Sequence, residues 1–167
     1  GSLIGGEFTV ATGPDDQLYP SIAYDPLNQQ FLVSWTFCYG SPSSCDLYGE
    51  LLSATGGIVG ESFSISAGPS YEGASSAVFD TVNQRYFVVW TQSESIYGQL
   101  ISDTGTFMGG SFPISGGGAA DVAVANQRYL VVWGEMRPTG NYSDIYGRFI
   151  SPTGSFLGDD FRVTDAY

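Results

Sequence analysis

Asp and Glu are the most numerous residues in this sequence that could take part in acid–base chemistry. It holds 17 Asp and Glu residues against five Arg, no Lys and no His, for a formal net charge of −12. Paired carboxylates can act as acid and base in glycoside hydrolysis, but no Asp or Glu is set apart by its spacing. We therefore expect no catalytic residue and no enzyme activity. The lack of His removes the commonest general base and metal ligand, so no cofactor is expected either.

The charge also bears on partners. A chain this acidic cannot assemble the basic patch that neutralises phosphates, so we expect no nucleic-acid binding. Anionic membrane surfaces are disfavoured for the same reason. No apolar run reaches membrane-spanning length, so we expect no membrane insertion.

Acidic and amide side chains recur together at Asp25 and Asn28 and again at Asp80 and Asn83. Such pairs could hold calcium. However, the D-x-[DN]-x-[DN]-G loop is absent, and two oxygen-bearing side chains in a turn are ordinary turn chemistry. The pattern predicts turns and no metal site.

Aromatic residues recur in two settings. Trp35, Trp90 and Trp133 each end an apolar run, which favours burial in the core over a role as sugar-stacking platforms. A tyrosine precedes a glycine at three evenly spaced places and has more chance of exposure. These weak candidates for ligand binding are Tyr48, Tyr97 and Tyr146.

The two cysteines lie close together in "FCYGSPSSCD", at Cys38 and Cys45. Such a loop can close into a disulfide between two antiparallel strand ends, or it can hold two free thiols. We predict the disulfide, which implies an oxidising compartment and an extracellular or cell-surface location. Asn141 begins the tripeptide "NYS", a weak signal for glycosylation.

These residues are positioned by a repeat. An apolar strand ending in Trp, a Tyr-Gly pair, a Thr-Gly turn and a Gly-x-x-Phe motif follow one another three times. The repeats cover 20–66, 75–115 and 120–164 of a single domain, 1–167. Each reads as four antiparallel strands. The opening "LIGGEFTV", residues 3–10, matches the last strand of a repeat and predicts one extra N-terminal strand.

Repeats of four antiparallel strands predict an all-β fold of three propeller-type blades plus the extra strand. A β-trefoil and a β-prism are the alternatives. The run "RYFVVW" is apolar at consecutive positions, which indicates a strand buried on both faces. Blades that stack face to face provide that burial, so the pattern favours the propeller.

The whole unit resembles a propeller-like tandem repeat of large secreted and surface-attached bacterial proteins. The matching pattern is Y-D-x-x-N-x-x-(F/Y)-L-V-x-W, then D-I-Y-G, then G-x-x-F. The resemblance implies an extracellular location and a role in adhesion or scaffolding. It implies no catalytic residue. Copy two departs from the pattern, with Ser95 where the other copies have Asp.

The functional expectation follows from the blade count. Three blades are too few to close an ordinary ring, and an open ring leaves exposed faces and strand edges. We therefore expect a non-catalytic extracellular assembly protein that associates with itself, as a closed oligomer or a filament. The N-terminal strand would add to a neighbouring sheet through Leu3, Ile4, Phe8 and Val10. The alternative is an adhesion module that binds glycans or surface proteins.

Overall fold

The computed structural model describes residues 5–40, 44–137 and 142–164. They form twelve strands in three antiparallel sheets, each a meander of four consecutive strands. Sheet 1 contains β1 (Asp16–Asp25), β2 (Gln30–Cys38), β3 (Cys45–Ser53) and β4 (Ile58–Ser66). Sheet 2 contains β5 (Glu72–Asp80), β6 (Arg85–Gln92), β7 (Ser95–Ser102) and β8 (Phe112–Gly116). Sheet 3 contains β9 (Gly118–Ala125), β10 (Arg128–Glu135), β11 (Asp144–Ile150) and β12 (Phe161–Arg162).

The first strands of the sheets converge. β5 packs against both β1 and β9, and these are the main contacts between sheets. The sheets therefore stack face to face with their first strands innermost, which is how propeller blades pack. This arrangement confirms the all-β expectation and favours the propeller over the trefoil and the prism.

β6 shows why sheets stack on both sides of it. Tyr86 and Trp90 point into the core shared with sheet 1, whereas Phe87 and Val89 point into the core shared with sheet 3. Successive side chains in a strand point to opposite faces. A continuous apolar run is therefore buried only if both faces are covered, as the sequence predicted.

Each third-to-fourth-strand connection contains the predicted Thr-Gly turn. Its glycine has a left-handed φ of 82 to 85°, which a residue with a Cβ adopts only with strain. A phenylalanine from the preceding Gly-x-x-Phe motif lies against each glycine. The pairs are Phe8 with Gly56, Phe63 with Gly105, and Phe112 with Gly154.

The extra N-terminal strand is not present in residues 5–10, and that part of the prediction is wrong. Phe8 is 61% exposed, and its ring meets the Gly56 turn instead of pairing along a sheet edge. Val10 is half-buried. Leu3 and Ile4 lie outside the described residues.

The last strands are also shorter than the repeat suggested. In sheets 2 and 3 the strand pairing breaks into a single bridge, at Phe107 and Phe156, and a later short strand. Gly109 and Gly158 lie between these parts with positive φ, so the backbone turns away from the ladder there, as at a bulge.

Candidate functional site

In each meander the first-to-second and third-to-fourth strand connections lie at one end, which we call the turn end. The other connections lie at the opposite end, which we call the loop end. There, between sheets 2 and 3, lies a cleft of about 610 Å³. Tyr71 and Met136 line this cleft, and so do two acidic residues, Glu94 and Glu135. Its volume falls within the range of about 300–1,000 Å³ typical of ligand pockets.

Glu94 reaches the cleft from a two-residue turn between β6 and β7. Ser93 and Glu94 have φ of 46° and 64°. Such turns are normally Asn-Gly, because both central positions need φ above zero. A left-handed conformation costs an ordinary residue about 1–2 kcal/mol. Backbone strain of this kind is often found at functional sites, although Asn126 and Gln127 adopt the same conformation in the β9–β10 turn.

Backbone hydrogen bonds tie this turn to both of its neighbours. The Ser93 N–H donates to the Tyr71 carbonyl at 3.3 Å, and the Gly117 N–H donates to the Glu94 carbonyl at 2.9 Å. Gly117 leaves no room for a side chain, since a Cβ there would lie 2.6 Å from the Gly134 carbonyl oxygen. The strained turn is therefore held in place by the connections before β5 and before β9.

Glu135 is oriented by two donors. Its Oε2 accepts hydrogen bonds from Trp133 Nε1 at 2.9 Å and from Arg137 at 3.1 Å. Arg137 also pairs with Asp160 and lies 3.7 Å above the Tyr146 ring. The hydrogen bond from Arg137 to Glu135 raises the pKa of the guanidinium, with a further contribution from Asp160.

The other oxygen of Glu135 faces the turn. A Cβ placed on Gly116 would lie 3.9 Å from both Glu135 Oε1 and the Glu94 carbonyl oxygen. Oε1 accepts no hydrogen bond from any described residue. One oxygen of this carboxylate is thus anchored by side chains of the fold, and the other has no donor among the described residues.

A third carboxyl, Glu72, lies beside Tyr71 at the start of β5. It is fully buried. Ser66 Oγ donates to Oε1 at 3.3 Å, while Oε2 has no partner among the described atoms. Burial raises the pKa of Glu72 to about 7, although the hydrogen bond from Ser66 opposes that increase. Because Glu72 is not exposed, it is a buried acid behind the cleft wall rather than a group that touches a ligand.

The three candidate tyrosines each stack on the tryptophan of the adjacent strand, at ring distances of 6.0 to 6.4 Å. Tyr97 and Tyr146 pack into the cores between sheets. Tyr48 lies on the face of sheet 1 that no other described sheet covers. Their roles as ligand contacts remain predictions. The three tryptophans are buried, as predicted: Trp35, Trp90 and Trp133.

The structure also describes the predicted disulfide and the two predicted Asp-Asn turns. Cys38 and Cys45 form the disulfide. Asp25 accepts hydrogen bonds from the backbone and side chain of Asn28, and Asp80 accepts equivalent ones from Asn83, which is the predicted turn chemistry. Across the described ranges, no three His, Cys, Asp or Glu residues are grouped to hold a metal. Asn141 lies outside those ranges.

Sequence reasoning missed Glu94 and Glu135. Neither belongs to the repeat pattern, and 17 acidic residues offered no way to choose between them. One local signal was available: two strands separated by two residues predict a tight hairpin, and "SE" is a poor sequence for its turn. Nothing in the sequence placed this turn beside the end of β10.

No protein-family model matches the chain, and no curated protein matches it in sequence. The resemblance to a bacterial tandem repeat therefore remains a prediction. No helix in the described part of the chain is long and apolar enough to cross a membrane.

Solved structures do match the fold. An N-acetylgalactosamine deacetylase from F. plautii aligns with TM-score 0.60 at 8% identity, covering 84% of this chain and 51% of its own. A GH43 β-1,3-galactosidase aligns with TM-score 0.58 at 8% identity, covering 88% and 57%. The GH43 endo-arabinanase from Bacillus licheniformis aligns with TM-score 0.54 at 13% identity, covering 90% and 60%. The chain thus spans 51–60% of the length of these structures.

These likenesses show a propeller-like fold shared with glycan-active enzymes. They correct two expectations from the sequence. One is that the chain is a non-catalytic assembly or adhesion protein, and the other is that it has no enzyme activity. The first rested on the count of three blades, and both rested on the absence of a recognisable catalytic motif. Carboxylates supplied by non-repeating loops carry no such motif, so its absence was no argument against chemistry on this fold.

Proposed function

We propose that this chain is part of a carbohydrate-active enzyme that hydrolyses glycosidic bonds in the loop-end cleft. The observation that carries the proposal is that Glu94 and Glu135 both line one cleft of about 610 Å³. The glycan-active enzymes of similar fold support it, as does the disulfide, which suits a secreted protein that meets extracellular polysaccharide.

The chemistry needs two carboxyl groups with different tasks. One protonates the glycosidic oxygen as the bond to the anomeric carbon breaks, and the other activates the incoming water or attacks that carbon. Glu135 suits the second task, since Trp133 and Arg137 fix its Oε2 while Oε1 accepts nothing from the described residues. Glu94, exposed on the facing turn, suits the proton transfer.

The test is hydrolysis of a panel of neutral polysaccharides and aryl glycosides, including galactosides and arabinosides, followed by release of reducing ends. Glu94→Gln and Glu135→Gln should each lower kcat/KM by about 10²–10⁴, the usual contribution of a general acid or base. Glu61→Gln removes an exposed carboxylate from β4 and should leave the rate unchanged. Hydrolysis that survives both cleft substitutions, or a wild-type protein that cleaves none of the panel, would refute the proposal.

A further inference from the structure

A network of ion pairs begins at Glu135 and continues beyond the loop-end cleft. One nitrogen of Arg137, Nη2, donates both to Glu135 Oε2 and to Asp160 Oδ2. The other oxygen of Asp160, Oδ1, lies 3.9 Å from Arg148 Nη2. Glu135 is therefore linked to Asp160 and Arg148, although neither of these two residues lines the cleft.

Arg148 is the anchored end of this network. Its Nη1 donates to the Ile114 carbonyl of β8 at 2.8 Å, and its guanidinium carbon lies 4.5 Å from the centre of the Phe156 ring. These contacts tie Arg148 both to sheet 2 and to its own sheet. Asp160 therefore connects Arg137 to an arginine whose position is fixed by two other groups.

The first two repeats carry different residues at the same positions. These positions are two residues after the motif Trp, opposite a Val of the second strand, and directly before the motif Phe. Their residues are Phe37 and Gln92 in place of Glu135, Glu50 and Gln99 in place of Arg148, and Ser62 and Ser111 in place of Asp160. Among the described residues, every ion pair joins members of the third repeat, 120–164. A four-stranded sheet of this kind therefore forms without the network.

The network is poorly suited to a purely stabilising role. The Nε atoms of Arg137 and Arg148 are buried and have no hydrogen-bond partner among the described atoms. A buried donor without an acceptor is destabilising, and a partly satisfied polar network is less stable than an apolar one. The concerted change at three repeat positions, next to a cleft residue, therefore points to a role in holding Glu135.

We propose that Asp160 is a positioning residue for the Glu135 carboxyl. It holds the Arg137 guanidinium between two carboxylates, so that Glu135 Oε2 stays bound and Oε1 keeps one direction. Misplacing a reacting group by about 1 Å can lower a rate by a factor of about 10². The consequence for hydrolysis rests on the proposed function, whereas the effect of Asp160 on the orientation of Glu135 does not.

The first test compares Asp160→Ser, which restores the residue of the other two repeats, with Asp159→Ser at the exposed neighbouring carboxylate. Asp160→Ser should lower kcat by about tenfold to hundredfold and leave KM within about twofold, because Asp160 does not line the cleft. Asp159→Ser should leave both constants unchanged. A kcat that Asp160→Ser does not alter would overturn the proposal.

A double-mutant cycle shows whether Asp160 acts through Arg137. Arg137→Gln should lower kcat at least as much as Asp160→Ser does, and the double variant should be no slower than Arg137→Gln alone. If the two losses multiply instead, Asp160 acts by another route and the proposal is wrong.

The indole N–H of Trp133 gives a readout that needs no substrate. It donates to Glu135 Oε2 at 2.9 Å, and the sequence has only three tryptophans, so Trp133→Phe assigns its NMR signal. Asp160→Ser should shift this signal and speed its hydrogen exchange, while the signals of Trp35 and Trp90 stay in place and show that the variant is folded.

This readout separates the inference from the proposed function. A wild-type protein that cleaves no glycoside would refute the proposed function, and the indole signal would still decide the role of Asp160. An indole signal of Trp133 that Asp160→Ser leaves unchanged would overturn that role. If Asp160→Ser does not fold, Asp160→Asn keeps the side-chain shape and takes its place in each test.

Discussion

At the turn end of the three sheets, Gly56, Gly105 and Gly154 adopt φ of 83°, 82° and 85°, and each has a phenylalanine ring against it. At the loop end the connections have little in common. The β2–β3 connection carries a disulfide, the β6–β7 connection is a strained Ser-Glu turn, and the β10 end carries Glu135. Uniform connections mark the scaffold, and variable ones carry function. The same sheets therefore form a repeated frame at one end and hold the proposed site at the other.

The largest expected effect compares one glycine from each end. Gly117→Ala at the loop end should destabilise the protein by about 3 kcal/mol or more, because strain at its φ of 107° is added to a backbone clash. Gly105→Ala at the turn end should cost about 1–2 kcal/mol. There the added Cβ would lie 3.2 Å from the Phe63 ring, which can shift, and in ordinary contact with Leu51 at 3.6 Å.

Urea unfolding of both variants and the wild type measures this difference. We expect Gly117→Ala to impair hydrolysis as well, because Gly117 holds the Glu94 turn. At a temperature where both variants are folded, Gly105→Ala should leave hydrolysis unchanged. Equal losses of stability, or a greater loss at Gly105, would contradict it.

A smaller effect concerns pH and the buried acid at the loop end. Burial raises the pKa of Glu72 from 4.5 to about 7 in the folded protein. The folded state then binds the proton more tightly than the unfolded state, so the stability from this group is complete below about pH 4.5 and is lost as the pH rises towards 7. Glu72→Gln removes this dependence and should be the more stable protein above pH 7.

The expected gain at pH 8 is about 1–2 kcal/mol. A difference of one in pKa is worth about 1.4 kcal/mol, and the buried glutamine amide of the variant keeps an unpaired polar atom, which offsets part of the gain. Melting temperatures of wild type and variant from pH 4 to pH 8 test the prediction. A gap between them that stays constant over this range would show that Glu72 does not titrate there.

The smallest expected change in stability comes from the Ser93-Glu94 turn at the loop end. This change separates an effect on stability from an effect on activity. Replacing Ser93-Glu94 by Asn-Gly should stabilise the protein by about 0.5–1 kcal/mol, since glycine relieves left-handed strain but costs conformational entropy. Hydrolysis should be lost with the Glu94 carboxylate.

The matched control lies at the turn end. Asn126 and Gln127 form a two-residue turn with φ of 50° and 57°, so Gln127→Gly also creates Asn-Gly and should stabilise by a similar amount. Its activity should equal that of the wild type. If the Asn-Gly variant at 93–94 remained active, the strained turn would have no catalytic purpose.

Much of the scaffold could be predicted from local sequence. The Thr-Gly turns, the Asp-Asn turns and the disulfide follow from short-range chemistry, and each appears in the structure. The doubly buried β6 followed from its continuous apolar run. The extra strand at 3–10 was predicted by analogy between repeats, and it is absent from 5–10 because Phe8 packs on the Gly56 turn instead.

The site could not be predicted in this way. The sequence by itself determined the strands, their turns and which face of each strand is apolar, because these depend on residues a few positions apart. Only the tertiary structure decided that Glu94 and Glu135 line one cleft and that Glu72 is buried behind its wall with Oε2 unpaired among the described atoms. The physical reason is that each outcome depends on how one sheet lies against the next, and the repeat pattern does not specify that packing.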